Sequence, residues 1–285
     1  MGVDRRMFTE LLGDLDSISG FELQEPLQEI ANGISCFGPY DEWLEWYHFL
    51  LGALIPRAHE NFVTPLLELL ATDLFAAYPD GIDDEPYRGF RDDMLLTLGS
   101  CLMNAECWSG RTIRVGQFLH RSNDNPAGIW SWWDASGDLS ASLFLCLKYL
   151  PADLVEPWFR SALEIHDPHW RAQLIVWLAG AHQLLTDDIQ WPSQFHENAR
   201  PAVNWDWSHC LRPDMPSADG DGMRPTGPFL PIVARETVLG VCKSYFSDDV
   251  YLDWLISIES VANLALELGE IPARFEEMFV GRVNP

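Results

Sequence analysis

Apolar side chains recur every three or four residues along most of the chain, the period of an α-helix with one face in a core. Gly38-Pro39 predicts the start of a helix carrying Trp43, Trp46, Tyr47, Leu50 and Leu54, with Asp41 and Glu42 at the positive end of its dipole. The stretch 57–78 repeats the pattern through Phe62, Val63, Leu66, Leu67, Leu70, Leu74, Ala77 and Tyr78. Pro65 predicts a kink in it, and Tyr78-Pro79-Asp80-Gly81 a stop. A third helix is expected over 88–105, with Phe90, Met94, Leu95, Leu98 and Leu102 on one face.

The middle of the chain is the most regular. Asp138 is placed to cap a helix over 139–150 that is apolar nearly all round, hence buried. Pro151 opens the next, striped by Leu154, Val155, Trp158, Phe159, Ala162 and Leu163. Asp167-Pro168 starts a helix over 168–185 that is apolar on two faces, which predicts neighbours on both sides. The stretch 186–230 breaks the period. It holds six prolines together with Trp191, Trp205 and Trp207. Helices are expected again over 231–246, over 248–268 behind Ser247, and near 272–280. The 248–268 stripe runs through Tyr251, Trp254, Leu255, Ile258, Val261, Ala262, Ala265 and Leu268. No strand pattern competes with these helices. The expectation is one all-α domain, 1–285, of stacked antiparallel helical hairpins, with 186–230 as an irregular Pro- and Trp-rich insertion.

Within 138–185, Leu150-Pro151-Ala152-Asp153-Leu154-Val155 and Asp167-Pro168-His169-Trp170-Arg171-Ala172-Gln173 form tight turns between helices, with an arginine near the start of the inner one. This segment resembles a HEAT-type helical repeat. The resemblance implies a curved stack of helix pairs with a concave binding surface, in a family whose members are mostly binders. It covers 138–185 only, and no constant repeat period extends along the chain.

Charge narrows the choice of partners. The 43 Asp and Glu outnumber 18 Lys and Arg, for a formal net charge of -25. Such a surface repels nucleic-acid phosphates and anionic lipid and attracts basic proteins. The basic residues are 16 Arg against Lys148 and Lys243 alone, and the 13 Trp suit aromatic cores and recognition surfaces alike. The six cysteines form no C-x-x-C pair, and most sit in apolar runs, so they read as buried free thiols in a reducing compartment. No apolar run is long enough to span a membrane and no signal-like segment follows Met1, so a cytoplasmic protein is expected.

Several clusters bear on chemistry. Trp130, Trp132, Trp133 and Asp134 crowd one short segment, and Trp205, Asp206 and Trp207 another. Asp83, Asp84 and Glu85 form an acidic turn without the ligand spacing of an EF-hand. These ten are the candidate partner-binding residues, aromatic anchors beside carboxylates that steer a basic partner. His166-Asp167 invites a metal reading as the dyad of HD-type phosphohydrolases, with His120 upstream and Asp187 or Asp206 downstream. Pro168 argues instead that Asp167 caps a helix. Ser208-His209-Cys210 contains nucleophile and base types, but adjacent residues seldom form a triad. Arg88, Arg91, Arg111, Arg114, His120 and Arg121 give 88–121 a local basic excess. No catalytic set and no cofactor motif stands out. The expected function is a non-catalytic acidic module sequestering a basic protein, as a bacterial immunity protein sequesters a toxin. An HD-type metal-dependent hydrolase and a nucleic-acid mimic are the alternatives.

Overall fold

The computed structural model describes residues 13–14, 17–19, 22, 26, 40–54, 67–83, 85–98, 108–109, 112–113, 134–135, 137–195, 202–203, 205, 207–214, 225–262 and 264–280. They are mostly helical: α1 (Tyr40–Leu54), α2 (Leu67–Ala77), α3 (Phe90–Leu98), α4 (Gly137–Tyr149), α5 (Ala152–Leu163), α6 (Pro168–Leu185), α7 (Ile232–Tyr245), α8 (Asp248–Glu259), α9 (Leu264–Leu268) and α10 (Ile271–Phe279). Four two-residue strands accompany them. Trp108–Ser109 (β1) pairs antiparallel with Thr112–Ile113 (β2), and Asp134–Ala135 (β3) pairs parallel with Ala202–Val203 (β4). The sequence did not predict these strands, because two residues carry no measurable alternation.

Helix α6 is the axis of the fold. The Asp167 carboxylate accepts the Trp170 backbone N–H at 2.9 Å, and Pro168 occupies the first turn, where its missing N–H costs nothing. Residues 170–179 are all buried; the two-faced pattern required this of Trp170 and 174–179, and Arg171 and Gln173 are enclosed with them. The β3–β4 pair, α7, α8, α9 and α10 all pack on α6. Other close packings join α2 to α4 and α5 to α7. Many of these pairs are distant in sequence, unlike a repeat in which each unit touches only its neighbours. The C-terminal end of α6 turns on Asp187, whose φ of 72° lies in the left-handed region that favours glycine. Its carboxylate pairs with the buried Arg235 of α7.

The core is unusually aromatic. Phe144 stacks on Trp205 at 5.6 Å and lies 5.2 Å from Trp177. Phe229 meets Phe75, Phe144, Trp191 and Trp205. Three of these rings, Trp191, Trp205 and Phe229, come from 186–230. The described part of that segment is irregular, with two short turns of 3₁₀ helix, yet it fills the interior.

The expected helix over 248–268 divides in two. Helix α8 ends at Glu259 and α9 begins at Leu264. The Ser260 hydroxyl donates to the Ser257 carbonyl at 2.6 Å, a local bond that competes with helix continuation. Leu264 is buried in consequence, whereas Ala262 is exposed. Leu154, placed by periodicity on the buried stripe of α5, is also exposed.

Candidate partner-binding surface

Among the acidic residues singled out in the N-terminal half, Glu85 has an internal duty. Glu85 accepts the backbone N–H groups of Gly89 and Arg91, each at 3.0 Å, and so organises the start of α3. The Gly89 bond, followed by the Arg91 bond, holds its carboxyl below the usual range. Asp80 accepts the Thr226 N–H at 2.9 Å and the Thr226 hydroxyl at 3.0 Å, which ties the turn after α2 to the long segment. Asp83 is exposed. Asp84 lies outside the described residues.

The Trp clusters divide. Trp205 is only 3% exposed, and its indole N–H donates to the Thr72 hydroxyl at 2.9 Å. A ring enclosed in this way offers a partner nothing, so Trp205 is a core residue and not a surface anchor. Its single polar atom has a fixed acceptor, which is what permits its burial. Trp207 differs: it is 36% exposed, its ring stacks on His209, and its backbone N–H donates to Glu68 at 3.2 Å. Asp134 is described only through its backbone, paired with Ala202. Trp130, Trp132, Trp133 and Asp206 fall outside the described residues.

The dyad proposed for metal is otherwise engaged. Asp167 is buried and spends its carboxylate on the α6 cap. His166 Nδ1 lies 2.6 Å from Arg171 Nη2. A guanidinium can only donate, so this nitrogen is the acceptor and a cation already stands beside it. Asp187, a possible further ligand, pairs with Arg235. Among the described residues no group of three or more His, Cys, Asp and Glu has the geometry to hold a metal ion. His120 lies outside them. His209 Nε2 does approach Cys210 Sγ, at 3.4 Å. Burial, with the nearby Asp73 adding to it, pushes that thiol up, away from the thiolate a nucleophile requires.

Charge is spread unevenly over the described residues. Lys148, Arg171 and Arg235 are buried. Lys148 donates to the Phe229 carbonyl at 2.5 Å, and burial takes its ammonium down to about 8. Arg171 lies over the Trp254 ring and meets Asp253 at 3.0 Å. These three cations turn inward, whereas Arg88, Arg212, Lys243 and Arg274 stay exposed, and carboxylates gather at the C-terminal end. Residues 248–280 hold eight Asp and Glu against Arg274 alone. Asp248, Asp249, Asp253, Glu259, Glu270, Glu276 and Glu277 are exposed.

This end also carries apolar side chains that the core does not use. Helix α8 buries Tyr251, Trp254 and Ile258, with Tyr251 stacked on Phe275 of α10. At about 100° per residue, Asp249, Leu252, Asp253 and Ile256 then fall on the opposite side. Leu252 is 54% exposed and Ile256 57%. Leu266 on α9 is 82% exposed. Periodicity contained the signal, since Leu252 and Ile256 fall off the buried stripe of α8.

No protein-family model, curated protein or solved structure matches this chain.

Proposed function

We propose that the protein is a non-catalytic acidic module that sequesters a basic protein partner, as a bacterial immunity protein masks a toxin. The observation carrying this reading is the acidity of the C-terminal end, where 248–280 holds eight carboxylates, seven of them exposed, against Arg274 alone. Such a face accelerates encounter with a positive partner and selects against negative ones. The acids used for caps and turns, such as Glu85 and Asp167, are spent on folding and do not form the regular array a nucleic-acid mimic needs. The engaged states of His166 and Asp167 favour binding over HD-type hydrolysis. The buried free thiols Cys146 and Cys242 suit a reducing, cytoplasmic setting. The Trp170 indole donating to the Ala162 carbonyl at 2.7 Å ties the turn between α5 and α6, the local feature on which the HEAT-type resemblance rests, while α5 packs chiefly on α7 and α6 on α10.

The test is capture of partners from host lysate on the immobilised protein, with stepwise elution in salt and identification by mass spectrometry. The reading expects one basic protein released as salt rises. Absence of a basic partner at every salt concentration removes it.

A further inference from the structure

Helix α8 presents a face that charge and hydrophobicity define together. Leu252 and Ile256 are one turn apart, so their side chains form a ridge of the kind that fits between the side chains of another helix. Asp249, Asp253 and Glu259 border the ridge, and all three are exposed. Asp253 meets Arg171 from below, at 3.0 Å, which fixes that carboxylate in place. No basic residue lies on α8. The fold accounts for part of the acidic border, Asp253 by its pair with Arg171 and Asp249 by its place in the first turn of α8, but not for the aliphatic ridge. The helix already buries Tyr251, Trp254 and Ile258, and aliphatic side chains more than half exposed gain nothing from that packing.

Resting on the binding reading above, we propose that the α8 face is the docking site, and that its occupant is a basic amphipathic helix of the partner. Such a helix would lay two or more apolar side chains at i, i+4 spacing against Leu252 and Ile256, while flanking Lys or Arg meet Asp249, Asp253 and Glu259. Charge complementarity selects this occupant over a second copy of the chain, whose own α8 would set carboxylates against carboxylates at a net charge of -25 per copy. The two aliphatics supply anchoring and the acidic border supplies steering and register.

The experiment uses the full chain and three synthetic probes: an amphipathic Leu/Lys helix, a scrambled peptide of the same composition, and polylysine. Binding is measured by fluorescence anisotropy at low and physiological salt. The amphipathic peptide should bind more tightly than the scrambled one, and Leu252→Ser/Ile256→Ser should weaken it by about tenfold or more while leaving polylysine unchanged. Ile232→Ser/Val233→Ser, which changes exposed aliphatics at the start of α7, should have no effect. Circular dichroism and melting keep both variants interpretable, because all four side chains are exposed. If amphipathic and scrambled peptides bind alike and Leu252→Ser/Ile256→Ser changes neither, the α8 site is overturned while charge-driven binding stands. If no basic probe binds even at low salt, the binding reading itself fails. Concentration-dependent dimers that Leu252→Ser/Ile256→Ser abolishes would assign the face to a second copy and also overturn the proposal.

Discussion

The indole N–H of Trp205 donates to the hydroxyl of Thr72 at 2.9 Å, across 133 residues of sequence. Thr72 in turn donates to the Glu68 carbonyl at 2.7 Å, so α2 and the long segment share one hydrogen-bonded chain beneath the aromatic core. Trp205→Ala should destabilise the fold by about 3–5 kcal/mol, as truncation of a buried aromatic does. Trp205→Phe keeps most of the packing and should lose only about 1–2 kcal/mol with the hydrogen bond. Urea denaturation monitored by circular dichroism distinguishes the two. If Trp205→Ala costs no more than an ordinary surface substitution, the segment is not part of the core.

Asp73 on α2 is buried, and its Oδ2 has no hydrogen-bond partner. Burial pushes its carboxyl well above the usual range. In the unfolded chain the group ionises near 3.8, the ordinary value for an aspartate. Below that pH it is protonated in both states and takes nothing from stability. As pH rises the unfolded chain loses its proton first, so this group's contribution falls until Asp73 titrates in the folded protein. Asp73→Asn removes that term, and the gain in Tm should therefore be larger at pH 7 than at pH 3. An equal change at both pH values would mean that Asp73 ionises in the folded protein as it does in the unfolded chain, without a penalty from burial.

Asp167 separates capping from metal chemistry. Asp167→Ala removes the acceptor for the Trp170 N–H and should cost about 1 kcal/mol, whereas Asp167→Asn retains an acceptor and should cost less. Thermal melts with and without divalent cations provide the readout. The capping role predicts that neither variant alters the response to cations. A cation-dependent rise in Tm in the parent protein, lost in both variants, would return the dyad to the metal reading.

Particular residues show how far local pattern carried the architecture. The Asp167-Pro168 start of α6 was legible because capping is chemistry between residues a few positions apart. The burial of Trp170 and 174–179 was legible because apolar positions on two faces leave no side for water. The break at Ser260 was not, since nothing in the stripe from Tyr251 to Leu268 distinguishes a continuous helix from one halted by a serine bonded to its own turn. The strand pairing of 134–135 with 202–203 was likewise invisible, because each partner is two residues long and the two are far apart in the chain.

The sequence by itself determined the helical class, the acidity, the caps at Asp167 and Ser247 and the helix that must be enclosed, because each follows from residue type and short-range spacing. Asp138, expected as a cap, lies instead inside α4, which already begins at Gly137. Only the tertiary structure decided which tryptophans are core and which carboxylates are spent. Trp205 and Trp207 stand two residues apart in the same Trp/Asp motif, and the first is buried while the second is exposed. The same sorting drew Arg171 and Arg235 inward and left Leu252 and Ile256 outside. Whether a side chain meets water depends on which distant segments arrive beside it, and that is a property of packing, which no local pattern contains.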